Sequence, residues 1–271
     1  MSHLPTFETL RLERDGWTLR VWLNRPETKN ALNRAMVRDL TAVTDLLASD
    51  SEIRAVVLRG ANGTFCAGGD INGFREMFST PAPQPGEKDG IAAHNRGFGG
   101  IMARLEALPQ TIVMVVEGAA YGGGLGLMCG GDVVLGTEDA KFSISEATLG
   151  VPPAQIAPFV AARIGIARTR RLSLTAHRFD GREAETLGLI DQACAGTAAL
   201  DAALAQVVAG IARCAPNANA TTKRLILASR SLPREELLDQ SADAFAACLR
   251  SPEGHEGVTA FLEKRKPKWA S

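Results

Sequence analysis

GAAYGGGLGLMCGGD, Gly118 to Asp132, decides how the rest of the chain is read. Seven of its fifteen residues are glycine, and it follows the apolar run TIVMVV, Thr111 to Val116. Such a run bounded by glycine reads as a buried strand. The cluster has no histidine, and it has no acid before Asp132. Any chemistry here rests on backbone groups plus a side chain supplied from elsewhere.

A second stretch has the same plan. RAVVLRGANGTFCAGGD, Arg54 to Asp70, is again an apolar strand, a glycine, a short loop and a glycine pair leading into a helix. If the two units stack, two sets of free helix-start N–H groups come side by side. Glycine lets a backbone approach a ligand closely and take unusual φ. N–H groups at a helix start lack internal acceptors, and two aimed at one oxygen form an oxyanion hole. Packing and turn formation are the alternative uses of the same glycines. The chain has no GxxxxGK[ST] phosphate loop, no strand-linked GxGxxG and no GxSxG nucleophile turn.

The strands and helices around these turns follow from local signals. FETLRLERDGWTLRVWLN alternates on both sides of Asp15-Gly16, which reads as a hairpin. Asn33 caps a helix to about Leu47 that places Ala35, Met36, Leu40, Val43 and Leu47 on one face. A helix starts near Asp70, and Ser79 to Gly90, with three prolines, is a loop. A long helix over about 91–108 follows, and then short strands at DVVLGT and AKFSI. From about Ala198 the chain becomes Ala-rich and helical, with Pro216, Pro233 and Pro252 at helix starts. This gives an α/β core over 1–197 and a helical part over 198–271.

Composition narrows the function classes. Thirty basic residues balance thirty acidic ones, which argues against a nucleic-acid binder with its basic stripe. Five cysteines, Cys66, Cys129, Cys194, Cys214 and Cys248, have no CxxC spacing and read as reduced thiols. The segment MSHLPTFETLRLERDG has no apolar run suited to secretion. No stretch approaches the ~18 apolar residues of a membrane span. A cytoplasmic protein with no membrane partner is expected. His3, His94, His177 and His255 are scattered without ligand spacing, so no metal site is expected.

The side-chain candidate is Glu146, in FSISEATLGVPPAQIAPFV. Apolar and small neighbours raise a carboxyl pKa by desolvation, which suits proton transfer. A surface acid capping the next turn fits the same window. Ser143, Ser145 and Gln155 are nearby polar residues that either assist such chemistry or serve structure.

Six windows together resemble the crotonase, or enoyl-CoA hydratase/isomerase, superfamily: LNRPETKNALN, FCAGGDI, GAAYGGGLGLMCGGD, AKFSISEATLG, LTAHRFDGREAETLGLID and EGVTAFLEKRKPKW. They occur in the family's order and cover nearly the whole chain. The resemblance implies a crotonase-like spiral of ββα units with a C-terminal helical trimerisation region, assembled as a trimer or dimer of trimers. It implies an acyl-CoA thioester substrate and no separate cofactor. The oxyanion donors would be the N–H groups of Gly69 and Gly123, beside Gly122. Arg25, Lys29 and Ala31 would approach coenzyme A. Ala67, Gly68, Asp70 and Ile71 would lie along its adenine and pantetheine. Phe261 and Lys264 would reach it from a neighbouring subunit, although EKRKPK also reads as a solvated basic tail.

The chain departs from the pattern at one position. Simple-chain hydratases of the family carry two glutamates; here one position holds Glu146 and the other holds Gly126. The run SEATLGVPPAQIAPFV resembles hydratases of 3-methylglutaconyl-CoA or isohexenylglutaconyl-CoA. That implies a lyase in which Glu146 activates water and Gly126 leaves volume for a branched or carboxylated acyl chain. A Δ3,Δ2-enoyl-CoA isomerase, which needs one carboxylate, is the alternative. A non-catalytic acyl-CoA-binding scaffold is the third reading.

Overall fold

The computed structural model describes residues 4–270; His3 lies outside the described residues. The chain runs through β1 (Leu10–Asp15), β2 (Thr18–Leu23), α1 (Arg34–Ser49), β3 (Ala55–Gly60), α2 (Ile71–Met77), α3 (Gly90–Ala107), β4 (Thr111–Val116), β5 (Ala119–Tyr121) and α4 (Gly123–Cys129). It continues with β6 (Val133–Thr137), β7 (Lys141–Ser143), α5 (Ala157–Ile164), α6 (Ile166–Thr175), β8 (Arg178–Asp180), α7 (Gly181–Leu187) and β9 (Gln192–Cys194). It closes with α8 (Thr197–Ala212), α9 (Pro216–Ala228), α10 (Arg234–Arg250) and α11 (Pro252–Leu262).

Two sheets result. The larger has the order β1-β2-β3-β4-β6-β9, and the smaller β5-β7-β8. The Asp15-Gly16 hairpin forms as expected: Asp15 pairs with Thr18, and Gly16 turns the chain at φ +58°. β2, β3, β4, β6 and β9 are all parallel. Parallel strands are covered on both faces, which is why AVVL of β3 and IVMVV of β4 read as unbroken apolar runs. Val56, Leu58, Ile112, Met114 and Val116 face the main core with Met36, Leu40 and Leu47 of α1 and Ile101 of α3. Ala55, Val57, Val113 and Val115 face the other side, where Leu200, Ala203 and Ile211 of α8 cover them.

The Asn33 cap is real: the Met36 N–H donates to Asn33 Oδ1 at 2.9 Å. The face of α1 also carries buried Asp39, which accepts from the Thr9 N–H and hydroxyl at 2.9 and 2.8 Å. That tie fixes the start of β1 on α1. No single helix among the described residues is long and apolar enough to cross a membrane. In α9 no residue is buried, and in α10 and α11 only Ala244 and Ala260 are.

These elements build an α/β fold, as the resemblance implies. β3 and β4 are neighbours in register, Arg59 opposite Val115, so both chains leave the sheet at the same edge. Each then runs into its glycine turn and its helix. The stacking expected from the near-repeat is therefore built by one pair of adjacent strands.

Candidate active site

The two glycine turns touch. The Cys66 N–H donates to Ala119 O at 2.9 Å and the Tyr121 N–H to Cys66 O at 3.0 Å, a short bridge between the units. Gly68 stands at φ +97°, and a Cβ there would fall 2.8 Å from Tyr121 O and 3.7 Å from Gly123 N. Only glycine permits both that backbone angle and that approach.

The N–H groups of Gly69 and Gly123 are both open. Leu32 bridges to this turn by donating to Gly68 O at 2.8 Å and accepting from Asp70 N at 3.0 Å. Gly69 lies between those bonds, and its own N–H takes no part in them. Among the described residues neither the Gly69 nor the Gly123 N–H has a backbone acceptor. Gly123 is the first residue of α4, where an unpaired N–H is inherent to the helix. Two free donors on adjacent turns can serve one oxygen.

Glu146 comes to the same place from the loop after β7. The Gly122 N–H donates to Ser143 O at 2.9 Å, which sets that loop against the glycine turn. A Cβ on Gly122, itself at φ +47°, would lie 2.6 Å from Glu146 Oε1. The carboxylate thus occupies the space directly above the glycine. Its Oε2 is buried without a hydrogen-bond partner. Burial raises the Glu146 pKa above the ordinary carboxylate value, opposed by its own N–H and that of Ser145. The residue heads a short 3-10 turn, Glu146 to Leu149, rather than capping it from the surface.

The rest of the wall was not legible in the motifs. Leu32 and Phe98 stand 3.0 and 3.6 Å from the Cβ position of Gly123, and the Phe74 ring edge 2.7 Å from that of Gly69. At Gly126 the expectation of free volume is corrected. A Cβ there would meet Ile156 Cγ2 at 2.1 Å, and Ile156 is 3% exposed. The Pro152–Pro153 segment folds Ile156 back onto α4, so the room left by the missing side chain is already filled with methyl groups.

Several other expected residues gather beside the Gly68–Gly69 turn. The Arg25 guanidinium donates to Ala31 O at 2.6 Å and pairs with Asp70 Oδ2 at 3.3 Å. Both side chains of the pair are 15% exposed, so this cation is already neutralised within the chain. Lys29 O accepts from the Ala67 N–H at 3.0 Å. Asn30, unnoticed in the sequence, is fully buried and donates to Thr64 O at 2.7 Å, pinning the loop to the turn. Asp70 caps α2 through the Asn72 N–H at 3.1 Å, and Ile71 is exposed beside it. Phe261 and Lys264 are exposed at the end of α11, and no hydrogen bond or ion pair joins either to this cluster among the described residues.

Polar residues outside the site account for themselves. Ser143 Oγ donates to Ala176 O at 3.3 Å, and His177 Nε2 lies 3.0 Å from Glu183 Oε1. Cys66 and Cys129 are free thiols whose pKa burial pushes up to about 12.

Comparison with known proteins agrees with this geometry. The family model described as Enoyl-CoA hydratase/isomerase matches residues 15–271. The structure of Pseudomonas aeruginosa AtuE superposes with a TM-score of 0.94 at 48% identity, covering 97% of this chain and 100% of that one. The peroxisomal Delta(3,5)-Delta(2,4)-dienoyl-CoA isomerase of Arabidopsis thaliana is 30% identical over 100% of this chain and 99% of its own length. The 2,3-dehydroadipyl-CoA hydratase of Escherichia coli (strain K12) is 31% identical over 95% and 97%.

Proposed function

The chain belongs to the enoyl-CoA hydratase/isomerase family, and from that premise we propose that it is a hydratase of branched, glutaconyl-type enoyl-CoA thioesters. The observation that carries a catalytic reading is Glu146 directly above Gly122, its Oε2 buried without a hydrogen-bond partner, beside two free N–H groups.

The thioester oxygen of the substrate sits between the N–H groups of Gly69 and Gly123. Glu146 takes a proton from water as the water oxygen bonds to C3. The π electrons move onto the thioester oxygen, where the two donors stabilise the enolate. Glu146 then returns its proton to C2, giving the 3-hydroxyacyl thioester. Burial raises its pKa, which strengthens the carboxylate as the base that takes the water proton. Coenzyme A enters as part of the substrate and the chemistry needs no resident cofactor.

The branched, glutaconyl-type acyl group rests on the likeness of SEATLGVPPAQIAPFV to that branch of the family. Gly126 leaves no room for it, because Ile156 fills that space. Room for a bulky chain is sought instead along α2 and the loop before α3, where Ile71, Phe74, Phe78 and Ile91 are exposed. Arg25, Lys29, Ala31, Ala67 and Asp70 form the bank along which the coenzyme would lie. Phe261 and Lys264 would complete it from a second subunit of a cytoplasmic trimer or dimer of trimers.

Isomerisation of a 3-enoyl-CoA to its 2-enoyl isomer is the second reading. One observation favours it: the place of a second carboxylate is apolar, filled by Ile156, and a proton shuttle between C2 and C4 needs only Glu146. The relatives include both hydratases and isomerases. Incubation of 3-methylglutaconyl-CoA in ¹⁸O-labelled water separates the two. Gain of one labelled water supports the hydratase. No incorporation, with conversion of a 3-enoyl-CoA to its conjugated isomer, replaces it with the isomerase.

A further inference from the structure

Helices α1 and α3 lie side by side and run in the same direction. The Gln110 carboxamide, just past the end of α3, donates to Leu47 O at 2.8 Å and Asp50 O at 3.0 Å, both at the end of α1. Arg104 of α3 pairs with Asp45 of α1. Ten residues back from Arg104 stands His94, and eleven back from Asp45 stands Arg34. Those runs measure roughly 15 to 17 Å along each axis, so the two residues come level.

Both helix starts open beside the glycine turns. Leu32, two residues before Arg34, and Phe98, one turn after His94, have atoms 3.0 and 3.6 Å from the Cβ position of Gly123. His94 and Phe98 are four residues apart, which puts them on one face of α3. Ile91, further out on that face, is exposed. Along α3, His94 thus falls between the wall of the two turns and the exposed apolar residues where room for the acyl chain is sought.

Neither side chain is taken up within the chain. Arg34 is exposed and His94 half-buried, and neither has a hydrogen bond or an ion pair with an acid among the described residues. Nearby Arg25, Arg38 and Arg104 are instead paired, with Asp70, Asp39 and Asp45. Asp89, at the head of α3, turns its Oδ1 to the N–H groups of Ile91 and Ala92. Burial, with the charge of Arg34 added, holds the His94 pKa below its ordinary value. A guanidinium and a neutral imidazole both have N–H donors to give, and a carboxylate is an acceptor that fits the two.

We propose that Arg34 and His94 together receive the second carboxylate of the acyl chain and so select carboxylated over uncharged thioesters. The proposal rests on the glutaconyl reading above. In such a thioester the second carboxyl carbon is four bonds from the thioester carbon. That span is comparable with the helical turn of roughly 5.4 Å that separates Phe98 from His94. Arg34 supplies charge and His94 an N–H. Neither touches the reacting carbons, so the pair sets affinity and specificity rather than chemistry.

The test is calorimetry of two unreactive saturated thioesters, 3-methylglutaryl-CoA and 3-methylvaleryl-CoA, which differ by a carboxylate in place of a methyl group. The full-length parent should bind the first on the order of 10–100-fold more tightly, the scale of a hydrogen bond to a charged group. Arg34→Gln and His94→Ala should each shrink that ratio, and the double variant should bring it near one. Arg34→Lys keeps the charge and should retain part of it. A Tm for each variant checks that it has folded. A ratio that survives in both single variants overturns the assignment while leaving the glutaconyl reading intact. Equal weakening of the two thioesters also overturns it, and gives both side chains to the coenzyme phosphates. A parent that binds the two thioesters alike overturns the glutaconyl reading itself and this role with it.

Discussion

Ile156 stands where a side chain on Gly126 would have to go: its Cγ2 and Cβ lie 2.1 and 2.5 Å from that Cβ position. The glycine is required by a neighbour rather than by a substrate. Gly126→Ala should therefore lower stability by about 1–3 kcal/mol, the usual range for overpacking a filled interior. Thermal or urea denaturation reads this directly, and adding Ile156→Ala should restore part of the loss. Gly126→Glu should not create a second carboxylate in the site. It should displace the Pro152–Ile156 segment and depress turnover of small and bulky thioesters alike. Selective loss of the bulky substrate alone would return Gly126 to the acyl pocket.

Glu146→Gln keeps the shape above Gly122 and removes the base. Turnover should fall by roughly 10²–10⁴ while binding of a coenzyme A thioester, measured by calorimetry, is spared. With Glu146 as the base, activity of the parent needs the ionised carboxylate, so the acidic limb of kcat/KM should lie above the ~4.3 of an unperturbed glutamate. Stability has the opposite sign. A carboxyl whose folded pKa is raised binds its proton more tightly in the folded state. It destabilises the fold above that folded pKa, and the penalty disappears below the unfolded value. Glu146→Gln is thus expected to raise Tm at neutral pH, with the gain shrinking as pH falls toward 4. A variant that loses activity and Tm together would mark Glu146 as a structural residue.

The parts of this site that could be read in the sequence are those made by neighbours in the chain. Asp15-Gly16 turns its hairpin, Asn33 caps α1, and each glycine turn follows its own strand, because each is settled within a few residues. Stacking of the two turns was legible only because the sequence nearly repeats. Contacts between distant segments left no such trace. Ile156 on Gly126, Phe98 at Gly123 and Gln155 on Gly99 join residues thirty or more positions apart, or separate helices, and one sequence carries no pairing signal for them. The free volume assigned to Gly126 failed for that reason: an absent side chain says nothing about who fills the space.

The glycines of the two turns should differ in tolerance. Gly122 has φ +47°, and a Cβ there meets Glu146 Oε1 at 2.6 Å. Gly122→Ala is strained in its backbone and pushes on the Glu146 carboxylate, so both Tm and, on the proposed mechanism, kcat should drop. At Gly69 a Cβ meets only the far edge of the Phe74 ring, at 2.7 Å. Phe74 is partly exposed on α2 and can swing aside. Gly69→Ala leaves the N–H donor in place and should keep kcat within a few-fold. Equal losses at the two positions would show that Phe74 is held as firmly as Glu146.

The C-terminal helices make the last prediction. Leu238, Phe245 and Leu249 recur at seven and four positions along α10, one face of the helix, and all are exposed. Phe245 is 70% and Phe261 82% exposed, with Val258 and Leu262 beside the latter on α11. Exposed large apolar side chains clustered along neighbouring helices mark a surface that something covers, and a second copy arranged by rotation is the commonest cover. Light scattering should give three or six times the 28.7 kDa of one chain. Phe245→Glu puts a charge into that face and should shift the mass toward one chain while leaving helix content by circular dichroism unchanged. If Phe261 and Lys264 reach coenzyme A from a neighbour, the dissociated variant should also show a raised KM with Glu146 intact. A wild-type chain that is monomeric at micromolar concentration would refute the assembly, and would place the coenzyme wholly on the Arg25–Asp70 bank of its own subunit.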